Sequence, residues 1–234
     1  MTGIIIKALS GFYYIDGGSA VYECRARGNF RKSGISPLVG DRAEFELSGG
    51  SGVVTAVLPR KNFLTRPPVA NINKLFIVSS FENPAPNEYI IDRLTAIAVY
   101  HGIEPIIVFN KCDAGDFSRW ESIYRAAGFK VFTVSAETGE GIDALKSEFS
   151  GGISVLNRIF GNTALKTGEV SEKLGRGRHT TRHTELLRMP CGGYIADTPG
   201  FSSLETGGDY EFKERLISCF PDLYEYSGNC RFTS

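Results

Sequence analysis

The sequence has no net charge, no long apolar segment and no paired cysteines, and each absence excludes a class of protein. Lys and Arg together number 26, as do Asp and Glu, so the overall charge gives no reason to expect a nucleic acid or a membrane surface as partner. No apolar run approaches the ~18 residues that span a membrane, and no secretory leader is present. The five cysteines are odd in number and lack paired spacing. We therefore expect a cytoplasmic protein without disulfides and without a membrane partner.

The first part of the chain, residues 1–66, is predicted to form a small closed β-barrel. Short segments of β character are separated by turns rich in Gly and Pro, a pattern typical of OB-type barrels. The segments are Ile4–Ile6, Gly11–Ile15, Ala20–Arg27, Arg42–Leu47 and Val53–Leu58. The run Arg66-Pro67-Pro68 stiffens the chain after the barrel and marks the predicted domain boundary.

Basic residues lie among aromatic ones in this barrel, which makes them candidate contacts for RNA. The candidates are Arg25, Arg27, Arg31 and Lys32. An OB-type surface of this composition binds RNA by stacking bases on aromatic rings and pairing phosphates with basic side chains. A solvated basic surface over an aromatic core explains the same residues equally well.

From residue 74 the pattern changes to alternating apolar strands and helices, which predicts an α/β domain with a parallel sheet. The predicted strands are Leu75–Val78, Pro105–Phe109 and Val131–Val134, and the predicted helices are Glu88–Tyr100, Ser118–Ala127 and Ile142–Phe149. Parallel sheets bind ligands at the carboxyl ends of their strands. The polar loops that follow these strands are therefore candidate sites.

Asn110-Lys111-Cys112-Asp113 directly follows the second of these strands and reads as a guanine-binding loop. The Asp113 carboxylate can accept both N–H groups that guanine offers, whereas adenine offers no such pair. Asn110 would join neighbouring loops, and the Lys111 stem would lie along the base. The alternative is a polar turn into a helix that Asp113 caps.

Ser135-Ala136 follows the next strand and is predicted to complete the guanine site. Backbone N–H groups near Ala136 could donate to guanine O6 and add to the preference for guanine that Asp113 provides. Ser135 and Thr138 are also good N-caps for the helix that follows, and both interpretations can hold together.

Two further segments suit the phosphate end of a nucleotide. Asp197-Thr198-Pro199-Gly200 follows the apolar strand Gly193–Ala196, and in GTPases such an Asp holds Mg²⁺ through water while the Gly N–H contacts the γ-phosphate. In the basic segment Gly175–His183, either Thr180 or Thr181 could supply a hydroxyl to Mg²⁺. A turn favoured by Asp, Pro and Gly, and a solvated basic loop, are the alternatives.

The order of these motifs is the reverse of the usual one, because the guanine loops precede the Mg²⁺ motif. On this order the chain resembles the bacterial ribosome small-subunit-dependent GTPases of the circularly permuted class. The stretches that match are Gly34–Asp41, Arg66–Asn71, Leu174–His183 and Asp197–Phe201. The resemblance implies an OB barrel (1–66), a circularly permuted P-loop GTPase domain (67–205) and the incomplete start of a C-terminal helical, zinc-binding domain (206–234).

The same resemblance implies ligands, partners and roles. The ligands are GTP, GDP and Mg²⁺, and the partners are the 30S ribosomal subunit and its 16S rRNA, bound by a monomer. Cys230 corresponds to the first residue of a zinc site that further Cys and His residues complete in the family, and these are absent here. His179, an imidazole in the basic segment, is the candidate for positioning the attacking water, since the apolar Phe201 stands where many GTPases have a glutamine.

The sequence departs from the family at the phosphate loop, because it contains no Gly-x-x-x-x-Gly-Lys-Ser/Thr motif. At the corresponding place a predicted strand, Ile153–Leu156, runs directly into a predicted helix, Leu156–Phe160. Since a strand needs roughly 2–6 residues to turn into a crossover helix, we expect that about eleven residues of the family pattern are missing here.

These observations favour a ribosome-stimulated GTPase that assists late 30S maturation and hydrolyses GTP to GDP and phosphate. The rival hypothesis is a non-enzymatic RNA-binding assembly factor that retains the guanine loops but has lost phosphate binding.

Overall fold

The structure is a computed structural model that describes residues 1–27, 30, 36–48, 51–82, 85–158, 184–198 and 210–223. Several predicted site residues lie outside these ranges: Arg31, Lys32, His179, Thr180, Thr181, Gly200 and Cys230. Of Asp197 the structure describes the backbone.

The predicted barrel is confirmed. Its strands are β1 (Thr2–Leu9), β2 (Phe12–Asp16), β3 (Val21–Ala26), β4 (Arg42–Ser48) and β5 (Ser51–Val57), in the closed order β1-β2-β3-β5-β4. Pairing of β1 with β4 closes the barrel. Inward-facing residues such as Ile5, Ile15 and Phe45 are fully buried, as the alternation of side chains along a strand requires.

A short hairpin follows the barrel and was not predicted from the sequence. Strands β6 (Phe63–Thr65) and β7 (Pro68–Ala70) pair with each other, so Pro68 opens a strand just after the predicted boundary. The hairpin packs closely against the barrel at Gly40, where a Cβ would lie 2.2 Å from the carbonyl oxygen of Ala70. This close approach requires glycine, which also adopts a φ of +91° there.

The remaining elements form an α/β unit with a six-stranded sheet in the order β10-β9-β8-β11-β13-β12. Its strands are β8 (Ile72–Ser80), β9 (Glu104–Asn110), β10 (Lys130–Val134), β11 (Ile153–Arg158), β12 (Leu186–Arg188) and β13 (Tyr194–Thr198). Neighbouring strands are parallel except β12, which runs antiparallel to β13. The helices are α1 (Glu88–Tyr100), α2 (Ser118–Ala126) and α3 (Ile142–Ser147).

Both faces of this sheet are covered, as expected for parallel strands with almost continuous apolar sequence. Helices α1 and α2 pack on one face through residues such as Leu94, Ile97 and Tyr124, and α3 packs on the other through Ile142 and Leu145. Strands β9 and β10 lie on one side of β8, and β11, β13 and β12 lie on the other. The switch point, where such folds bind ligands, therefore lies between β8 and β11.

One predicted boundary is wrong. The sequence places the start of a helix at Leu156, whereas Leu156, Asn157 and Arg158 continue strand β11. These residues pair with β8, and Leu156 and Asn157 also pair with β13 on the other side. A ladder on both sides holds the backbone extended beyond the point where the local pattern changes.

The C-terminal part of the described chain is helical and packs on α1. Helix α4 (Tyr210–Glu214) and a 3₁₀ turn (Ile217–Cys219) belong to it. The Phe212 ring meets the Tyr100 ring edge-on at 5.2 Å, and Cys219 is 2% exposed. The interpretation of Cys219 as a core residue is therefore confirmed. Among the described helices, none has the length and apolar character needed to cross a membrane.

Each edge of the sheet makes a contact with a neighbouring part of the chain. At the β12 edge the barrel contributes a β-bridge between Lys7 and Glu185, and these two side chains form an ion pair of 3.1 Å. At the β10 edge, the Arg125 guanidinium of α2 donates to the Val131 carbonyl at 2.8 Å.

Candidate nucleotide-binding site

The predicted guanine loops follow two adjacent parallel strands and end at the same edge of the sheet. Asn110 is the last residue of β9, and its register partners are Ser80 on β8 and Val134 on β10. Ser135 directly follows β10. The structure therefore brings together the two loops that the sequence placed about 20 residues apart.

A side-chain hydrogen bond joins these loops. The Asn110 side-chain oxygen accepts the Ala136 N–H at 3.0 Å, and Asn110 is 4% exposed. Because a buried amide without a partner is costly, this bond fixes the distance between the loops. Because the Ala136 N–H donates to Asn110, it is not available to guanine O6. The predicted hydrogen bond to O6 would then come from the N–H of a neighbouring residue.

The loop that carries Asp113 is held in a tight turn. Lys111 has a left-handed backbone with a φ of +70°, and the Ala114 N–H donates to the Lys111 carbonyl at 3.0 Å. The Cys112 N–H donates to the Val134 carbonyl at 3.1 Å and so connects the turn to β10. Asp113 itself is exposed at the end of the turn, where its carboxylate is accessible to a base.

The helix-cap alternatives for Asp113 and Ser135 are wrong. At α2 the Ser118 N–H donates to Asp116 at 2.8 Å, and the hydrogen bonds from Ser118 lower the pKa of the Asp116 carboxyl. At α3 the N-cap is Gly141, which makes no side-chain cap bond. Ser135 instead stabilises its own loop, because its hydroxyl accepts the Thr138 N–H at 3.1 Å.

Cys112 occupies the variable position of the guanine loop and packs against the core. Burial, followed by the nearby Glu140 carboxylate, raises the pKa of its thiol. A protonated thiol is a poor nucleophile and a poor metal ligand, which agrees with a packing role.

The backbone of Asp197 lies at the same edge of the sheet, on the other side of the switch point. Asp197 pairs with Leu156 of β11, and three inter-strand spacings, or roughly 14 Å, separate β13 from β9. This distance suits a nucleoside triphosphate that lies across the strand ends, with guanine at β9 and phosphates at β11 and β13. An aspartate is also a residue type whose oxygen atoms Mg²⁺ prefers.

The described residues do not provide a zinc site. They contain no group of three or more His, Cys, Asp or Glu side chains arranged to hold a metal ion. Structural zinc requires four ligands, and the predicted ligand Cys230 is outside the described ranges.

Two of the four candidate RNA contacts fall within the described barrel, and both are exposed. The Arg25 guanidinium lies 4.6 Å from the centre of the Phe12 ring on the neighbouring strand. Arg27 faces Glu46 at 3.4 Å, which neutralises part of its charge. Arg25 is therefore the more available of the two for a phosphate or a base.

The sequence interpretation gave no role to Gly115 and Phe81, which contact each other beside the guanine loop. A glycine two residues after Asp113 was the available signal, since glycine marks places where backbone is closely approached.

The strand order and the two strand-end loops define a circularly permuted GTPase. A family model described as RsgA GTPase matches residues 57–207, and one described as RsgA N-terminal domain matches residues 2–54. The chain belongs to the family of RsgA GTPases.

Curated relatives and solved structures agree with this assignment. A "Small ribosomal subunit biogenesis GTPase RsgA" from Caldanaerobacter subterraneus subsp. tengcongensis is 43% identical over 99% of this chain and 83% of the relative. The protein of that name from Bacillus cereus is 42% identical over 98% of this chain and 84% of its own.

YjeQ from Thermotoga maritima superposes with a TM-score of 0.76 at 31% identity, covering 93% of this chain and 81% of YjeQ. YloQ, described as a circularly permuted GTPase, superposes with a TM-score of 0.74 at 34% identity, covering 99% of this chain and 81% of YloQ.

Proposed function

We propose that this protein binds GTP and GDP at the edge of the sheet and hydrolyses GTP during biogenesis of the small ribosomal subunit, in the cytoplasm and as a monomer. The observation that carries the proposal is the hydrogen bond between Asn110 and the Ala136 N–H. It joins two loops whose residue types suit guanine and whose order is that of a permuted GTPase.

In this proposal Asp113 accepts the two N–H groups of guanine, and Asn110 and Ser135 hold the loops in register. Asp197 with Thr180 or Thr181 would hold Mg²⁺, and the Gly200 N–H would contact the γ-phosphate. The metal neutralises charge that develops on the phosphates. His179 would position the attacking water. Full ribosome-stimulated turnover by His179→Ala would contradict that role.

The barrel would contact 16S rRNA within the 30S subunit, with Arg25 as its most available described contact and Arg27, Arg31 and Lys32 nearby in sequence. Such contacts weaken as salt is raised, because binding releases counterions from the RNA. Zinc, with Cys230 as one ligand, belongs to the proposal only as a prediction from the family resemblance.

A change of base preference tests the guanine site. Xanthine carries a carbonyl where guanine carries its exocyclic amine, so Asp113→Asn should prefer xanthosine diphosphate, because its amide can both accept and donate. We expect the wild type to prefer GDP and the variant to reverse the order, with a combined change of at least ~100-fold. Competitive equilibrium binding measures this change.

Asp116→Asn is the matched control, since Asp116 lies three residues further on and an amide oxygen can still accept from Ser118. This variant should keep the preference for GDP. An unchanged preference in Asp113→Asn, or the same reversal in Asp116→Asn, would contradict the proposal.

The missing phosphate-loop motif favours the rival function, an RNA-binding factor that does not bind phosphates. The alignment with the Caldanaerobacter relative extends over 248 positions, more than the 234 residues of this chain, so that relative carries residues without a counterpart here. Affinities for GMP and GDP separate the two functions. A phosphate-binding GTPase binds GDP far more tightly than GMP, whereas equal affinities would support the rival.

A further inference from the structure

Gly115 and Phe81 make an unusually close contact beside the guanine loop. A Cβ added to Gly115 would lie 2.0 Å from Cζ of the Phe81 ring and 2.1 Å from Cε1. Real Cβ atoms do not approach carbon so closely, so the tip of the ring occupies the space that any side chain at position 115 would need.

The Phe81 ring packs against other aromatic rings of the core. Phe81 directly follows β8, and its ring meets the Phe117 ring edge-on at 5.4 Å. Phe117 is 2% exposed and stacks on Phe109 at 4.9 Å. Because Phe109 precedes Asn110 in β9, the ring that touches Gly115 is supported by the strand that carries the guanine loop.

The contact falls on the part of the loop that follows Asp113. One side is connected to β10 through the Cys112 N–H, and the chain next becomes regular at Ser118, where α2 begins. Asp113 lies between these two attachments and is itself exposed. The Phe81 ring therefore limits how the backbone can be placed at Gly115, two residues after Asp113.

We propose that Phe81 and Gly115 are positioning residues that set the place of the Asp113 carboxylate, and with it the selectivity for guanine. The inference rests on the proposed function, because it assigns a role within that nucleotide site. A bidentate hydrogen bond depends strongly on geometry, and a displacement of about 1 Å at such a site can cost up to ~100-fold.

The test compares GDP with inosine diphosphate, which lacks only the exocyclic amine that would bind Asp113. Gly115→Ala should lower GDP affinity by roughly tenfold while inosine diphosphate affinity falls less, so the ratio of the two affinities decreases. Phe81→Leu removes the atoms that the new methyl would meet. The double variant Gly115→Ala/Phe81→Leu should therefore recover most of the ratio.

Gly102→Ala is the matched control. Gly102 has a left-handed φ of +65°, but a Cβ there would meet nothing within 4 Å, and it lies after α1. This variant carries backbone strain without a collision and should keep the wild-type ratio. If Gly115→Ala fails to fold, Phe81→Ala is measured instead, because it removes the ring without adding an atom and should also lower the ratio.

The outcomes separate the inference from the function on which it rests. A wild-type protein that binds GDP and inosine diphosphate equally would contradict the guanine site itself. If the wild type discriminates but the ratio is unchanged in Gly115→Ala, or in Phe81→Ala where the first variant does not fold, the positioning role is overturned. A double variant without recovery would also overturn it.

Discussion

Asp41 is a fully buried carboxylate at the junction between the barrel and the hairpin that follows it. Arg60 donates to both of its oxygens, at 2.6 and 2.7 Å, and the Leu38 N–H donates to it at 2.7 Å. Arg60 also donates to the Ser36 carbonyl at 2.7 Å. A single guanidinium thus holds the chain on both sides of Val39, which bridges to Val69 of the hairpin.

Arg60→Met should be strongly destabilising, because it leaves the Asp41 charge buried without its partner. We expect the free energy of unfolding in urea to fall by about 3–5 kcal/mol. Arg27→Met is the matched control, since the side chains of Arg27 and Glu46 are 57% and 68% exposed, and it should cost less than ~0.5 kcal/mol. If the free energy of unfolding fell equally in Arg60→Met and Arg27→Met, the burial of Asp41 would not explain the loss of stability.

At the scale of residues, the sequence predicted positions better than contacts. Asn110 and Ser135 were placed correctly at strand ends, because a buried strand followed by a polar motif is a local signal. The Asp41–Arg60 and Phe81–Gly115 contacts were missed, because no spacing connects residues whose proximity depends on tertiary packing. Arg60 was indistinguishable in sequence from the basic surface residues around it.

At the scale of elements, ion pairs of Glu148 connect helix α3 to the sheet. Glu148 directly follows Ser147, the last residue of α3. The Glu148 carboxylate accepts from Lys74 of β8 at 2.6 Å and from Lys130 of β10 at 3.3 Å. Lys74 also donates to the Glu148 backbone carbonyl at 2.8 Å, near the negative end of the helix. The hydrogen bond from Lys74, supported by Lys130, lowers the pKa of the Glu148 carboxyl although burial opposes it.

This network predicts a pH dependence of stability. A depressed pKa in the folded state contributes stability that is present above the unfolded pKa of glutamate, about 4.3, and is lost as pH falls through the lower folded value. Lys74→Met should therefore lower the free energy of unfolding by about 1–2 kcal/mol at pH 7. The difference from wild type should shrink at pH values below that window.

Urea unfolding between neutral and acidic pH measures this difference. Lys146→Met is the control, because its partner Asp143 has a side chain that is 96% exposed, and it should follow the wild-type profile. A constant difference between Lys74→Met and wild type across the pH range would contradict the role of Glu148.

Elements were predicted well where their signals were local. Helix α1 was predicted with the observed bounds, Glu88–Tyr100, and its N-cap Asn87 accepts the Ile90 N–H at 3.2 Å. Strands β6, β7 and β12 were missed because each has three residues, too few for an alternating pattern to be recognised. Pairing on both sides, which the sequence does not reveal, extended β11.

Considered as a whole, the molecule joins its barrel to the outer strands of the sheet through polar contacts. The Tyr194 hydroxyl of β13 donates to Asp16 of β2 at 2.9 Å, and Asp16 is 9% exposed. Burial, followed by the hydrogen bond to Asp16, raises the pKa of Tyr194. Both Tyr194–Asp16 and Lys7–Glu185 join residues 178 positions apart, so no local pattern could have predicted this contact.

Tyr194→Phe should weaken the coupling between barrel and sheet. Asp16 would still accept the hydrogen bond from the Gly18 N–H at 2.8 Å but would lose the hydrogen bond from the Tyr194 hydroxyl. We expect this loss to lower the free energy of unfolding by about 1–2 kcal/mol. We expect the urea transition followed by far-UV circular dichroism to separate from that followed by tryptophan fluorescence, because the single tryptophan, Trp120, lies in α2 beside the sheet.

Tyr89→Phe is the control for this prediction, because Tyr89 is 73% exposed. In this variant the two transitions should stay as they are in the wild type. Transitions that separate no further in Tyr194→Phe than in wild type would show that the hydroxyl does not couple the two parts.

The contacts at the two sheet edges bear on whether copies of this protein can pair with one another. An uncovered edge strand offers unpaired N–H and C=O groups to another chain and is a common start of fibrous aggregation. Here Lys7 of the barrel bridges to the residue that precedes β12, while Arg125 engages a carbonyl of β10. A second chain that paired along β12 or β10 would have to displace these contacts, which therefore disfavour pairing at the two places where they lie.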